Sequence, residues 1–225
     1  MDYNLVTFDD IINNFEFNIY LEKGNELLGT MGFTDHSAAH TMKVAINAAR
    51  ILQELGYSER EVELAKIAAY IHDIGNMINR NNHAQTGALM AFQILTKMNM
   101  HPEEIATVVT AVGNHDEGTG RPVSAVSAAV IIADKSDVRR SRVRNKDMDT
   151  FDIHDKVNYS VEKADILVFK TQKGNVIRLV MEIDKTISPV FDYFEIFMER
   201  MMLCRKAAEF LNASFQFNIN DAKLL

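Results

Sequence analysis

The chain has 225 residues, 47% apolar and 24% charged, the balance of a globular protein with a full core in one large domain or one domain with a small appendage. A formal net charge of −7 argues against binding nucleic acid over the whole surface, and the single cysteine, Cys204, excludes an internal disulfide framework or a thiolate zinc site. No stretch of about 18 apolar residues and no basic segment leading into an apolar run is present, so neither a membrane span nor a signal peptide is expected, and the expected location is the cytoplasm.

Three prolines and twelve methionines point to a mostly helical chain. Residues 7–29 read as one amphipathic helix with Thr7 as N-cap and Ile11, Ile12, Phe15, Ile19 and Leu27 at helical spacing. A second helix runs from about Asp35 to Leu55, with Ala45, Ala48, Ala49 and Leu52 inward and Gly56 at its stop. Ser58 and Glu61 form a capping box for a third helix whose last turn carries His72 and Asp73. After a polar loop, a fourth helix spans about His83 to Lys97, and Pro102 opens a fifth whose apolar stripe continues to His115. A sixth spans about Ser124 to Val138 and carries Asp134 within a run of Ala, Val and Ile. Residues 135–146 then hold six of the 24 basic residues. Residues 164–183 read as a β-hairpin around a Gln-Lys-Gly-Asn turn, and Ser188-Pro189 starts a long helix to about Asn212. Its Phe and Met stripe is expected in the core or at a subunit contact, compatible with a homodimer.

Imidazoles and carboxylates recur where helices end. His72 and Asp73 emerge where an apolar helix meets a loop, His115 ends another helix on its apolar side, and His40 sits on an apolar helix surface. A buried carboxylate such as Asp73 or Asp134 is costly without a partner, and a cation relieves that cost. His101 is expected to start a helix, and Cys204 to be a small buried apolar residue. His154-Asp155 repeats the dipeptide but follows the basic loop with no apolar helix beneath it, and is read as incidental.

These segments resemble the HD-domain metal-dependent phosphohydrolases. His40-Thr41-Met42-Lys43-Val44 resembles the family's opening HxxxV, Tyr70-Ile71-His72-Asp73-Ile74-Gly75 its LLHDIG, and Ala133-Asp134-Lys135-Ser136-Asp137 its closing ADxxD. His83-Ala84-Gln85-Thr86-Gly87 and Asn114-His115-Asp116-Glu117 resemble the HPxxG and HHE segments of the HD-GYP phosphodiesterase branch. The chain departs from that branch at Asn76, where a lysine is usual, at Asn114, and in having no GYP tripeptide. The resemblance covers about residues 33–140.

It implies a mostly α fold: an HD-domain helical bundle, with the small hairpin placed before the C-terminal helix. Residues 1–150 would form the metal-binding part, including the N-terminal helix, and 151–225 the hairpin and long helix packed on the same domain. His40, His72, Asp73 and Asp134 would hold one divalent ion. Asp73 would bridge to a second held by His83 and His115, and His36 would be either a further ligand or a hydrogen-bonded core residue. Mn, Fe, Co, Ni and Zn all suit this donor set. The implied activity is hydrolysis of a small phosphorylated compound, a nucleotide foremost, by a metal-activated hydroxide, with His72 and Asp73 as catalytic residues. The alternatives are an HD-type di-iron oxygenase and a non-catalytic nucleotide-binding signalling domain. Lys135, Arg139 and Arg80 are the candidate substrate-binding residues, because guanidinium and ammonium groups beside the ligands would steer an anion. Arg142 and Arg144 are expected at the surface or an interface. Neither nucleic acid nor a membrane is an expected partner.

Overall fold

The computed structural model describes residues 2–220, 222 and 223. The first predicted helix is two. Helix α1 (Phe8–Ile12) is closed by a capping box between Thr7 and Asp10, and α2 (Phe15–Thr30) restarts because the Asn14 side chain accepts from the Glu16 and Phe17 amides. A local side chain thus offers the backbone an alternative to continuing the helix. Helices α3 (Ala38–Glu54) and α4 (Glu59–Ile71) follow the predicted positions, with the Ser58/Glu61 capping box in place. After a 3-10 turn, Ile74–Met77, come α5 (His83–Lys97) and α6 (Pro102–Gly113), the latter capped by the His101 side chain.

Helix α7 (Ala125–Lys135) is shorter than predicted and occupies the middle of the bundle, packed against α3, α4, α6 and α9 (Val190–Phe210). Ala128 to Ala133 are fully buried, so its apolarity all round reflects neighbours on every side. A short helix, α8 (Ile153–Ser160), was not expected; it is capped by Asp152, which accepts from the Asp155 amide.

The hairpin is real but longer, and it belongs to a larger sheet. Strands β1 (Val161–Thr171) and β2 (Gly174–Ile183) pair antiparallel, and β3 (Ala213–Ile219) adds parallel to β2 after α9 crosses over, with Ile177 opposite Phe215. A two-residue β4 (Ala222–Lys223) completes the order β1-β2-β3-β4. Ala213, Phe215, Phe217 and Ile219 face inward at strand period, and α9 covers β3 on one side while touching α7 on the other. The C-terminal segment is thereby tied to the helix that carries Asp134. Among the described residues no helix is long and apolar enough to cross a membrane.

The chain crosses itself tightly at Gly75. A Cβ there would lie 2.0 Å from the His83 carbonyl oxygen and 2.5 Å from the Gly87 amide nitrogen, both backbone atoms. Gly75→Ala is expected to force α5 off the 3-10 turn, costing about 3 kcal/mol, the upper part of the usual range for overpacking. In a chain of this size that lowers Tm by about 6–12 °C; a thermal melt within 2 °C of wild type, by circular dichroism, would show that the two segments separate without penalty.

Candidate metal centre

Five histidines converge at the ends of α3, α4, α5 and α6, and each has its Nδ1 occupied. His72 donates from Nδ1 to the Ala69 carbonyl at 2.6 Å, His115 to Val112 at 2.6 Å and His83 to Arg80 at 3.0 Å. Each of these carbonyls lies three residues earlier in the chain; for His72 and His115 it is among those a helix end leaves without an amide partner. His36 donates to the Thr34 carbonyl at 2.7 Å, and His40 to the Asp137 carboxylate at 2.8 Å. Carbonyls and carboxylates only accept, so Nδ1 carries a proton in every ring and Nε2 is the nitrogen left to face a ligand.

Those Nε2 atoms gather around two carboxylates. His40 and His72 Nε2 lie 3.4 and 3.5 Å from Asp134 Oδ1, and 3.8 and 3.2 Å from Asp73 Oδ2. The other oxygen of Asp73, Oδ1, lies 3.4 Å from His83 Nε2 and 3.8 Å from His115 Nε2, which are 3.1 Å from each other. Asp73 therefore presents one oxygen to each of two donor groups. His36 Nε2 is 4.0 Å from Asp73 Oδ2, and Asn76 donates to Oδ1 at 2.8 Å. All the residues expected as metal ligands are brought together. Five of them form two His/Asp clusters that could hold a metal ion, His40–His72–Asp134 and His72–Asp73–His115, and His83 lies beside the second through His115.

The residues fit a cation on two independent grounds. Nε2 of His40 and of His72 is buried and has no hydrogen-bond partner, a costly state for a polar atom. Donors about 2.1 Å from a shared ion would lie about 3.0–3.4 Å from one another, the spacing of His40–Asp134, His72–Asp73, His83–Asp73 and His83–His115. Burial favours neutral acids at Asp73 and Asp134, yet the charge on His72 holds Asp73 well below the usual carboxylate range, and Lys135 with His72 does so for Asp134. Burial opposes a charged His72, but Asp73 and Asp134 outweigh it and raise the ring to about 10. Burial, reinforced by the charges of His115 and Arg80, pushes His83 down to about 4. Two carboxylates thus hold a proton where an ion would otherwise balance them.

Around this centre lies a supporting ring. Asp137, fully buried, holds His40 and accepts from Lys43 at 3.1 Å and Arg139 at 2.9 Å. It is the functional residue that reasoning from the sequence left unassigned, although it closes the ADxxD segment. Lys135, expected at the substrate, is buried on the cavity wall and paired with Asp134 at 2.8 Å and Glu117 at 2.6 Å, so it fixes a ligand. Glu117 also meets Arg200 at 2.9 Å and is held well below the carboxylate range, against burial, by those two cations, which leaves it a charged strut.

A cavity of about 260 Å³ opens over the centre. Arg80 lines it as expected, 3.9 Å from Asp73 Oδ1. Arg139 does not: its guanidinium turns to Asp137 and Ser141 and lines a separate surface depression with Lys43 and Glu162. Arg142, expected at the surface or an interface, is 5% exposed and faces the cavity instead. The 3-10 turn Arg140–Arg142 reverses the chain just beyond α7 and sends neighbouring arginines to opposite sides. His154 and Asp155, read as incidental, line the mouth because α8 folds back over it.

Residues 38–141 match the model of the HD domain family, so this part of the chain is similar to that family. It is similar to an uncharacterized protein of Methanocaldococcus jannaschii, 28% identical over 183 residues that make up 71% of this chain and 70% of that one. It is also similar to ribonuclease Y of Treponema denticola, 32% identical over 65% of this chain, and of Bacillus subtilis, 27% identical over 64% of it; the chain spans only 27% of the length of either. In structure it is similar to a chain described as a predicted HD superfamily hydrolase from an uncultured Thermotogales bacterium, with a TM-score of 0.44 and 24% identity over 55% of this chain and 67% of that one.

Proposed function

We propose that the chain is a divalent-metal-dependent phosphohydrolase or phosphodiesterase acting on a small phosphorylated compound, a nucleotide being the class the family resemblance favours. The observation that carries this reading is the convergence of five imidazole Nε2 atoms, their tautomers set by Nδ1 partners, on the two oxygens of Asp73 and on Asp134. His40, His72, Asp73 and Asp134 would hold one ion and Asp73, His83 and His115 a second. Divalent ions there supply Lewis-acid stabilisation of a phosphoryl oxygen and lower the pKa of water. Asp137 holds the His40 ring in place, Lys135 holds Asp134, and Asn76 fixes the Asp73 carboxylate. Arg80 stands over the centre, where a guanidinium can meet phosphoryl oxygens. The small cavity favours a compact substrate over a polynucleotide strand, the substrate class named for the ribonuclease relatives. Residues 151–225 are read as completing the same unit, since Arg200 on α9 braces Glu117 and lines the cavity.

The direct test is metal content of the purified protein, with phosphomonoester and phosphodiester panels run in Mn²⁺, Co²⁺, Ni²⁺ and Mg²⁺. Protein that retains no metal and hydrolyses no ester under any of these ions would end the proposal. A pH dependence follows as well. With its ring raised to about 10, His72 carries a proton at neutral pH that an incoming ion must displace. Metal affinity is therefore expected to fall about tenfold for each unit the pH drops from 9 to 7, with about one proton released per ion bound. Calorimetric titration in buffers of different ionisation enthalpy reads that proton; identical heats in all of them would contradict it.

A further inference from the structure

The cavity is lined by three guanidinium groups as well as by the His/Asp cluster and two further acids near α8. The guanidinium groups come from distant segments, Arg142 buried and Arg80 and Arg200 partly exposed, and each is fixed through part of its fork. Arg142 donates from Nε to the Asp35 carbonyl at 2.8 Å and from Nη1 to the Asp137 carbonyl at 2.7 Å, and its Nη2 has no hydrogen-bond partner among the described residues. Arg200 uses Nε on Glu117, and Arg80 uses Nη1 on Asn76 and His83. Arg142 is 95% buried, so its free donor is a built anion contact rather than a surface charge. Asp152 and Asp155 line it from the start of α8, Asp152 exposed and Asp155 half-buried, with His154 between them. Asp152 accepts from the Asp155 amide and Asp155 from Asn145 at 3.4 Å, but neither has an ion-pair partner among the described residues. Two acids without an ion-pair partner thus share a cavity of about 260 Å³ with three guanidinium groups, which are paired with Asp137, Glu117 and Asp73; the volume is below the roughly 300–1,000 Å³ of pockets for larger ligands.

We propose that this cavity selects a small phosphomonoester whose far end carries a cation or hydrogen-bond donors, and rejects one whose far end carries a second anion. The inference rests on the phosphohydrolase reading of the metal centre and adds the substrate's other end to it. The phosphoryl group sits at Arg142, Arg200 and Arg80, beside the His/Asp cluster, and the far end reaches Asp152 and Asp155. A charge about 6 Å from a carboxylate, at an effective dielectric of about 20–40, shifts an equilibrium by about tenfold or more. Sign reversal at the far end counts this twice.

The test uses the full chain loaded with Mn²⁺ and two esters of matched length, 2-aminoethyl phosphate and carboxymethyl phosphate, with p-nitrophenyl phosphate as the uncharged reference. The aminoethyl ester is expected to exceed the carboxymethyl ester by tenfold or more in kcat/KM and, by calorimetry, in affinity. Asp152→Asn with Asp155→Asn keeps the helix cap and the Asn145 contact, and is expected to bring both ratios to within about threefold of unity. Equal or tighter binding of the carboxymethyl ester overturns the inference, as does a ratio that the double substitution leaves unchanged. Failure to hydrolyse any of the three esters, with the binding ratio intact, counts against the phosphohydrolase reading alone.

Discussion

Replacing Asp73 with alanine is expected to lower turnover by more than about a thousandfold, the lower end of what removing one member of a catalytic unit costs. Its two oxygens face different donor groups, Oδ2 towards His40 and His72 and Oδ1 towards His83 and His115, so one substitution takes a ligand from both. Asp134→Ala takes a ligand only from the His40–His72 group. The discriminating measurement is therefore metal stoichiometry. Asp73→Ala should lose the ions of both groups, whereas Asp134→Ala should keep the ion at His83 and His115. The helical fold should survive at a cost in stability, because Asp73 lies beyond the end of α4 and outside the apolar core, while its removal leaves Asn76 and His72 short of a partner. A folded Asp73→Ala protein with wild-type turnover on its best ester, or with full metal content, would remove Asp73 from the centre.

Helix periodicity and capping chemistry made most of the bundle legible, because Ser58/Glu61, Pro102 and the apolar stripes are local signals that the tertiary structure does not override. The convergence of the His/Asp set was legible for a different reason: buried carboxylates and imidazoles at helix ends inside apolar runs are costly unless they find partners. Other features needed the third dimension. The Asn14 cap splits a periodicity that reads as continuous, since Ile11 and Ile12 before the break keep helical spacing with Phe15 and Ile19 after it. Strand β3, with Phe215, Phe217 and Ile219 alternating inward, is absent from the sequence reading, because only the α9 crossover gives so short a segment a strand to pair with. Arginines two to three residues apart in an irregular turn carry no period, so nothing local sorts Arg139 from Arg142; the Asp137 carboxylate claims the first, and the Asp35 and Asp137 carbonyls fix the second towards the cavity. His154 was set aside for lack of an apolar helix beneath it, and α8 reaches the cavity by packing its Val157 side while leaving His154 exposed.

Asp137 lies behind the centre, and its removal should be felt both in folding and in metal affinity. It is fully buried and joins His40, Lys43, Arg139 and Arg142. Burial favours its neutral form, but the hydrogen bond and charge of His40, with Arg142 and Lys43, keep the carboxyl far below the usual range. A carboxyl depressed in the folded state stabilises it fully above the unfolded pKa of about 4 and loses that stabilisation as pH falls further. Asp137→Ala should therefore cost about 3–5 kcal/mol at neutral pH, the penalty for breaking a buried ion pair from one side, and the cost should shrink below about pH 4, where the carboxyl of the unfolded chain takes up a proton that the folded one still refuses. It also frees the His40 ring, and loss of such an outer partner typically weakens metal binding by about 10–100-fold. Asp137→Asn separates the two effects, since an amide oxygen still accepts from His40 Nδ1 while the charge is gone. Urea unfolding should place both variants well below wild type, whereas metal affinity of the folded protein should recover to within a few-fold in the asparagine variant alone. If alanine lowers stability and leaves metal affinity untouched, Asp137 braces the bundle without positioning His40, and the ring must be held by its packing against His36 and His72.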